Sequence, residues 1–192
     1  MKLVTIGYSA RTISNDIDWD QERRRVFLLN SEVKIPKSVD PNVWEEPLKE
    51  YTNSIPSLPL PYWHDLDELD HAVSKLTYSC EIISISICGD VEIPEHMNFF
   101  RPRPFVFPRK RFSNFIGYDV ADSALISGLF NCGFDDLEKT LAANDFSSFL
   151  NEFGLFNSIE KAEKFRSYSD KRVREHAPFY VYAIFSEPNL ET

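Results

Sequence analysis

Glycine is scarce in this 192-residue sequence, at six residues, and none of them falls in a G-x-G-x-x-G or Walker-type arrangement. Gly7, just after the first apolar segment, stands alone. A backbone cradle for phosphates is therefore not encoded. Cysteine is as sparse: Cys80, Cys88 and Cys132 are an odd number at no paired spacing, which argues against a disulfide framework and for a reduced, cytoplasmic setting. No apolar run approaches the ~18 residues that span a bilayer. The opening MKLVTIGYSAR also lacks the long apolar core of a secretory signal, so no membrane association is expected.

Positive charge is in deficit as well. Twenty-one Lys and Arg stand against 30 Asp and Glu, for a net charge of −9. The resulting field repels phosphates and attracts cationic partners, which speaks against direct nucleic-acid binding. The exception is RPRPFVFPRKR, Arg101 to Arg111, with five positive charges and no negative ones. In isolation this stretch has the look of a nucleic-acid patch, since basic residues interleave with two Phe. Within so acidic a chain, an internal acidic partner serves it equally well. Its prolines at 102, 104 and 108 leave room only for a short edge strand around Phe105 to Phe107.

What the chain has in quantity is apolar and aromatic surface: 43% hydrophobic residues, with 16 Phe and 8 Tyr that need packing partners. The length suits one globular domain over residues 1–192. Lys2 to Tyr8 and Val26 to Leu29 have the β-branched and apolar character of strands. EIISISI alternates Ile83, Ile85 and Ile87 with Ser84 and Ser86, the period of a strand with one buried face. FYVYAIF, Phe179 to Phe185, is the most strand-like stretch of all. Residues 35–62 carry six prolines and are read as a long ordered excursion pinned by Trp44, Tyr51 and Tyr62.

Helices are expected over His64 to Leu76, where Leu66, Leu69, Val73 and Leu76 share a face and Asp65 caps the first turn. Further helices are expected from Asp135 with a Glu138 capping box, from Asp145 to Gly154, and over Ser158 to His176, which is the longest. The class is α+β (mixed α/β), with about five strands in a central sheet and four or five short helices.

The densest run of small and apolar residues is GYDVADSALISGLFNCGF, Gly117 to Phe134, which holds three of the six glycines. Asp119 or Asp122 placed before Ser123 to Phe130 predicts a capped helix with a small Ala124/Gly128 face. Gly133 sits where a left-handed residue ends such a helix. Every unusual residue thereby acquires a structural task. An enzymatic alternative would make Cys132 a nucleophile with His176 as its base and Asn131 or Asp119 as the orienting group, although nothing in the sequence ties these residues together.

A metal is not expected at His64 to His71. Residues seven apart on a helix lie ~10 Å apart along its axis, too far for the two histidines to share one zinc ion. Only Asp67 and His71, four apart, are close enough to share a site, and a solvated acidic face accounts for them. No cofactor is expected.

Gly117 to Phe134, together with the closing FYVYAIF, resembles a signature of immunity proteins from bacterial polymorphic toxin systems, particularly those of contact-dependent growth inhibition. The resemblance implies a cytoplasmic inhibitor that binds one cognate toxin domain. Many such toxins are nucleases, whose substrate grooves must be basic, so an acidic surface is suited to cover one. On that basis the contacts are expected at Asp16, Asp18, Asp20, Glu22, Asp65, Asp67, Glu68 and Asp70, with Trp19, Tyr62 and Trp63 as aromatic anchors. The shared run itself is expected to maintain the scaffold. An enzyme of another type, and a structural subunit of a larger complex, are the competing classes.

Overall fold

A computed structural model describes residues 2–12, 29, 66–74, 80–89, 114–130 and 132–187. Among them are four strands, β1 (Leu3–Thr12), β2 (Cys80–Cys88), β3 (Asn114–Ala121) and β4 (Tyr180–Glu187). Three α-helices accompany them: α1 (Leu66–Ser74), α2 (Leu137–Ala143) and α3 (Ile159–Arg172). The strands form one sheet in the order β1-β2-β4-β3, antiparallel throughout. The class is α+β, as the pattern of elements implies, with four described strands against about five expected. The candidate strand at Phe105 to Phe107, all of Val26 to Leu29 except Leu29 itself, and the excursion at 35–62 lie outside the described residues.

β2 runs through the middle of the sheet, and its serines are buried along with its isoleucines. The alternation therefore marks two covered faces, and the expectation of a single buried face is corrected. A hydroxyl can be buried where it is hydrogen-bonded, and Ser86 Oγ meets Thr5 Oγ1 of β1 at 3.1 Å.

β3 went unrecognised because its pattern is broken. The register between β3 and β4 shifts between Phe115 and Gly117, so Ile116 occupies a bulge, and a buried aspartate follows at 119. A bulge interrupts the period of two on which strand recognition depends. Gly117 is required there by close approach, since a Cβ would lie 2.6 Å from the Cβ of Leu155. The segment carrying Leu155 also adds to this edge, with Tyr118 and Phe156 exchanging N–H to carbonyl bonds of 2.9 Å in both directions.

The helix expected over Ser123 to Phe130 does not form. Asp122 Oδ1 accepts from the backbone N–H groups of Ala124 and Ile126, each at 2.9 Å, and Leu125 adopts a φ of 61°. A short polar side chain that captures neighbouring N–H groups offers the backbone an alternative to helix. Only a 3₁₀ turn, Gly128–Phe130, follows. The helix expected from Asp145 likewise contracts to a 3₁₀ turn at Ser147–Phe149, with Asp145 itself at φ 58°.

α2 is capped by Asp136 rather than Asp135, its carboxylate accepting from Lys139 N at 2.9 Å. α3 begins after its cap Ser158, as expected, but ends at Arg172, short of His176. Its buried side is Ala162, Phe165 and Ser169. Phe165 is the hub of the aromatic load, with ring centroids 5.2 Å from Phe146, 5.2 Å from Phe156 and 6.0 Å from Phe134. On the outer side, Arg166 bridges Glu163 at 2.6 Å and Asp170 at 2.7 Å. Asp170 also accepts from Phe179 N at 2.8 Å, tying the end of α3 to the entry of β4.

Candidate functional site

The sequence-predicted contact residues Asp16, Asp18, Trp19, Asp20, Glu22, Tyr62, Trp63 and Asp65 lie outside the described residues. Asp67, Glu68 and Asp70 fall on α1, which packs on β1 through buried Leu69. Asp67 is exposed and Asp70 half-buried, three residues apart and so on neighbouring positions of one helix flank. His71 is exposed beside them.

A second group of chemically active side chains gathers at the end of the sheet where β3 finishes and β4 begins. Cys132 and His176, distant in sequence, are brought together there, and the third member is Asp122. One ligand atom from each of the three lies within 4.8 Å of the other two. The Asx loop fixes Asp122, with Oδ1 held by two backbone N–H groups and Oδ2 directed to His176 Nδ1 at 2.8 Å. Cys132 follows the 3₁₀ turn, and His176 lies on the turn between α3 and β4, whose backbone closes with His176 N–H donating to Val173 O at 3.2 Å.

Cys132 is 4% exposed. Burial, and then the negative charges of Asp122 and Glu175, push its pKa from 9.0 up to about 12, so at neutral pH it is a thiol. Nucleophilic thiol catalysis calls for the opposite environment, one that lowers the pKa. The structure thus brings together the anticipated Cys132–His176 pair, with Asp122 as its third member, in surroundings that raise the thiol pKa. Of the anticipated orienting groups, Asn131 lies outside the described residues and Asp119 belongs to a different network.

That network is buried in β3. Asp119 accepts from Val120 N at 2.7 Å, Ser127 Oγ at 2.7 Å and Leu29 N at 2.9 Å. Arg11 of β1 lies nearby, its guanidinium donating to Ser9 Oγ at 2.9 Å. Burial raises the Asp119 pKa from 3.8 to about 6, against the lowering effects of its three donors and of Arg11.

Gly133 follows Cys132 with a φ of +67°. This is the left-handed residue expected at that position, although it closes a loop here and not a helix. A Cβ at Gly133 would collide with Val173 Cγ1 and lie 3.0 Å from Glu175 Oε1 and 3.5 Å from His176 Cδ2. The glycine is what lets the α3–β4 turn settle over Cys132.

Asp122 was missed as a partner of Cys132 and His176 because the local pattern assigned it to a helix cap. The available signal was the run Asp-Ser-Ala-Leu-Ile-Ser, where the aspartate can capture the N–H groups two and four residues on and the last serine one two residues on, each in place of a helical turn.

No protein-family model matches the chain, and no curated protein or solved structure is significantly similar to it. No helix among the described residues is long and apolar enough to cross a membrane.

Proposed function

We propose that this chain is a cytoplasmic immunity protein that binds a cognate toxin domain, a nuclease, and covers its basic substrate groove with an acidic surface. The observation that carries this reading is the run Gly117 to Phe134. Its residues resemble the signature of such inhibitors, and in the fold they are spent on scaffold: the bulged strand β3, the Asx loop at Asp122 and the closely packed Gly117 and Gly133. A shared scaffold is what fast-diverging binders of different partners would retain.

Two further features are consistent with it. The net charge of −9 suits a cationic target, and α1 presents Asp67 to solvent while anchoring itself through Leu69. The elevated pKa of Cys132 weighs against the rival reading as a thiol-dependent enzyme.

The test is to identify a reading frame beside the gene that ends in a small domain toxic when expressed alone, and to co-express that domain with the chain. Rescue of growth, together with co-purification of the two polypeptides, is the expected result. Continued killing in the presence of abundant folded protein, with no complex recovered at low salt, overturns the proposal.

A further inference from the structure

Asp122, Cys132 and His176 are, by chemistry, a complete set of three zinc-type ligands: a carboxylate, a thiol and an imidazole. They come from three separate segments, the loop after β3, the loop before α2 and the turn before β4, and their ligand atoms already converge within 4.8 Å. We propose that these three side chains bind one zinc(II) ion, which staples the three loops together at this end of the sheet.

The surroundings fit a cation. Outer partners that orient a ligating carboxylate are a regular part of such sites, and the Ala124 and Ile126 N–H groups hold Asp122 Oδ1 while leaving Oδ2 for the site. Asp122, a ligand of the proposed site, and Glu175, whose Oε1 overhangs the neighbouring Gly133, are both acidic, a setting that favours a divalent ion. On coordination the thiol gives up its proton to solvent.

The fourth position falls to a water molecule or to Glu175, whose Oε1 overhangs Gly133. His176 is 30% exposed, against 7% for Asp122, which gives the ion an entry path from the His176 side. Zinc bonds of about 2.0–2.3 Å at tetrahedral angles set neighbouring ligand atoms ~3.4–3.6 Å apart. The 2.8 Å contact between His176 and Asp122 must then open by about 0.6–0.8 Å, a shift available to a half-exposed side chain on a turn. Zinc suits the set because it accepts sulfur, nitrogen and oxygen together in tetrahedral geometry, whereas calcium and magnesium take oxygen alone.

The experiment uses tag-free full-length protein, stripped with chelator and titrated with cobalt(II) as a spectroscopic substitute, then with zinc(II) in competition. One equivalent of cobalt is expected to produce a thiolate-to-cobalt charge-transfer band in the near ultraviolet, displaced by one equivalent of zinc. Cys132→Ser should abolish that band and Cys80→Ser should keep it. Loss of outer-shell partners typically weakens metal sites about 10–100-fold, so loss of a ligand in His176→Gln should exceed about 100-fold in zinc affinity.

Circular dichroism of each variant verifies folding. If Cys132→Ser does not fold, His176→Gln decides the matter, because it leaves every thiol in place. Absence of a charge-transfer band at saturating cobalt in the wild type overturns the proposal. So does a band that survives in folded Cys132→Ser, or an unchanged zinc affinity in His176→Gln. None of these outcomes depends on toxin binding.

Discussion

Gly133 and Asp119 are positions where one side chain, or the lack of one, decides a local conformation. At Gly133 a φ of +67° and the proximity of Val173 exclude a side chain on two independent grounds. Left-handed strain and the collision together should make Gly133→Ala cost about 2–4 kcal/mol, measured as a shift in the urea midpoint. Asp119 gives a different signature. Its folded pKa of about 6 lies above the unfolded value of 3.8, so the folded state binds the proton more readily. Its contribution to stability is full below the unfolded pKa and is lost as pH rises through the folded one. Stability attributable to this group should therefore fall between pH ~4 and ~6, by on the order of 3 kcal/mol. Asp119→Asn removes the titration, and unfolding curves across that window should flatten. At pH ~4 the variant should be less stable than wild type by about 1–3 kcal/mol, because an amide nitrogen cannot accept from Leu29 N as the carboxylate oxygen does, and that difference should close as pH rises through about 6.

α3 organises the aromatic core, and its strength lies on one side. Phe165 is fully buried among Phe134, Phe146 and Phe156. Phe165→Ala should cost about 3–5 kcal/mol, a large part of the ~5–15 kcal/mol that a typical domain has. Thermal melts and urea titrations would register it together. Ser158→Ala removes the cap bond to Lys161 N together with the hydroxyl's bond to the exposed Glu160 carboxylate, and should cost about 1 kcal/mol. The start of α3 and the whole of β4 are close to what sequence pattern predicts, because a capped amphipathic run and a β-branched, aromatic run each carry their own period. β3 and the loop after it do not. A bulge at Ile116 breaks the alternation, and an aspartate that would cap a helix instead captures two N–H groups of a loop. The Cys132–His176 pairing was nameable as chemistry, yet it could not be placed, since a contact across 44 positions is created by β3, β4 and the turn between α3 and β4 rather than by any local spacing.

At the scale of the whole molecule the governing property is charge. An excess of nine negative charges acts over a Debye length of about 8–10 Å at moderate salt. It therefore bears on how fast a basic partner is captured more than on how tightly it is finally held. α1 offers the place to separate the two effects: Leu69 anchors the helix, while Asp67 and Asp70 lie on its outer flank. Reversing both, as Asp67→Lys with Asp70→Lys, should leave the far-ultraviolet dichroism spectrum that of a folded protein, which is the control for the binding measurement. Stopped-flow association with the proposed toxin partner should then slow by about tenfold at low ionic strength, with the difference shrinking as salt is raised. Dissociation should change less than association. The contrast in salt dependence discriminates between steering and contact, because a lost packing interaction would accelerate dissociation equally at every salt concentration. An association rate identical to wild type from low to high salt would remove α1 from the binding surface and leave the acid-rich segment around Asp16 to Glu22 to be tested in the same way.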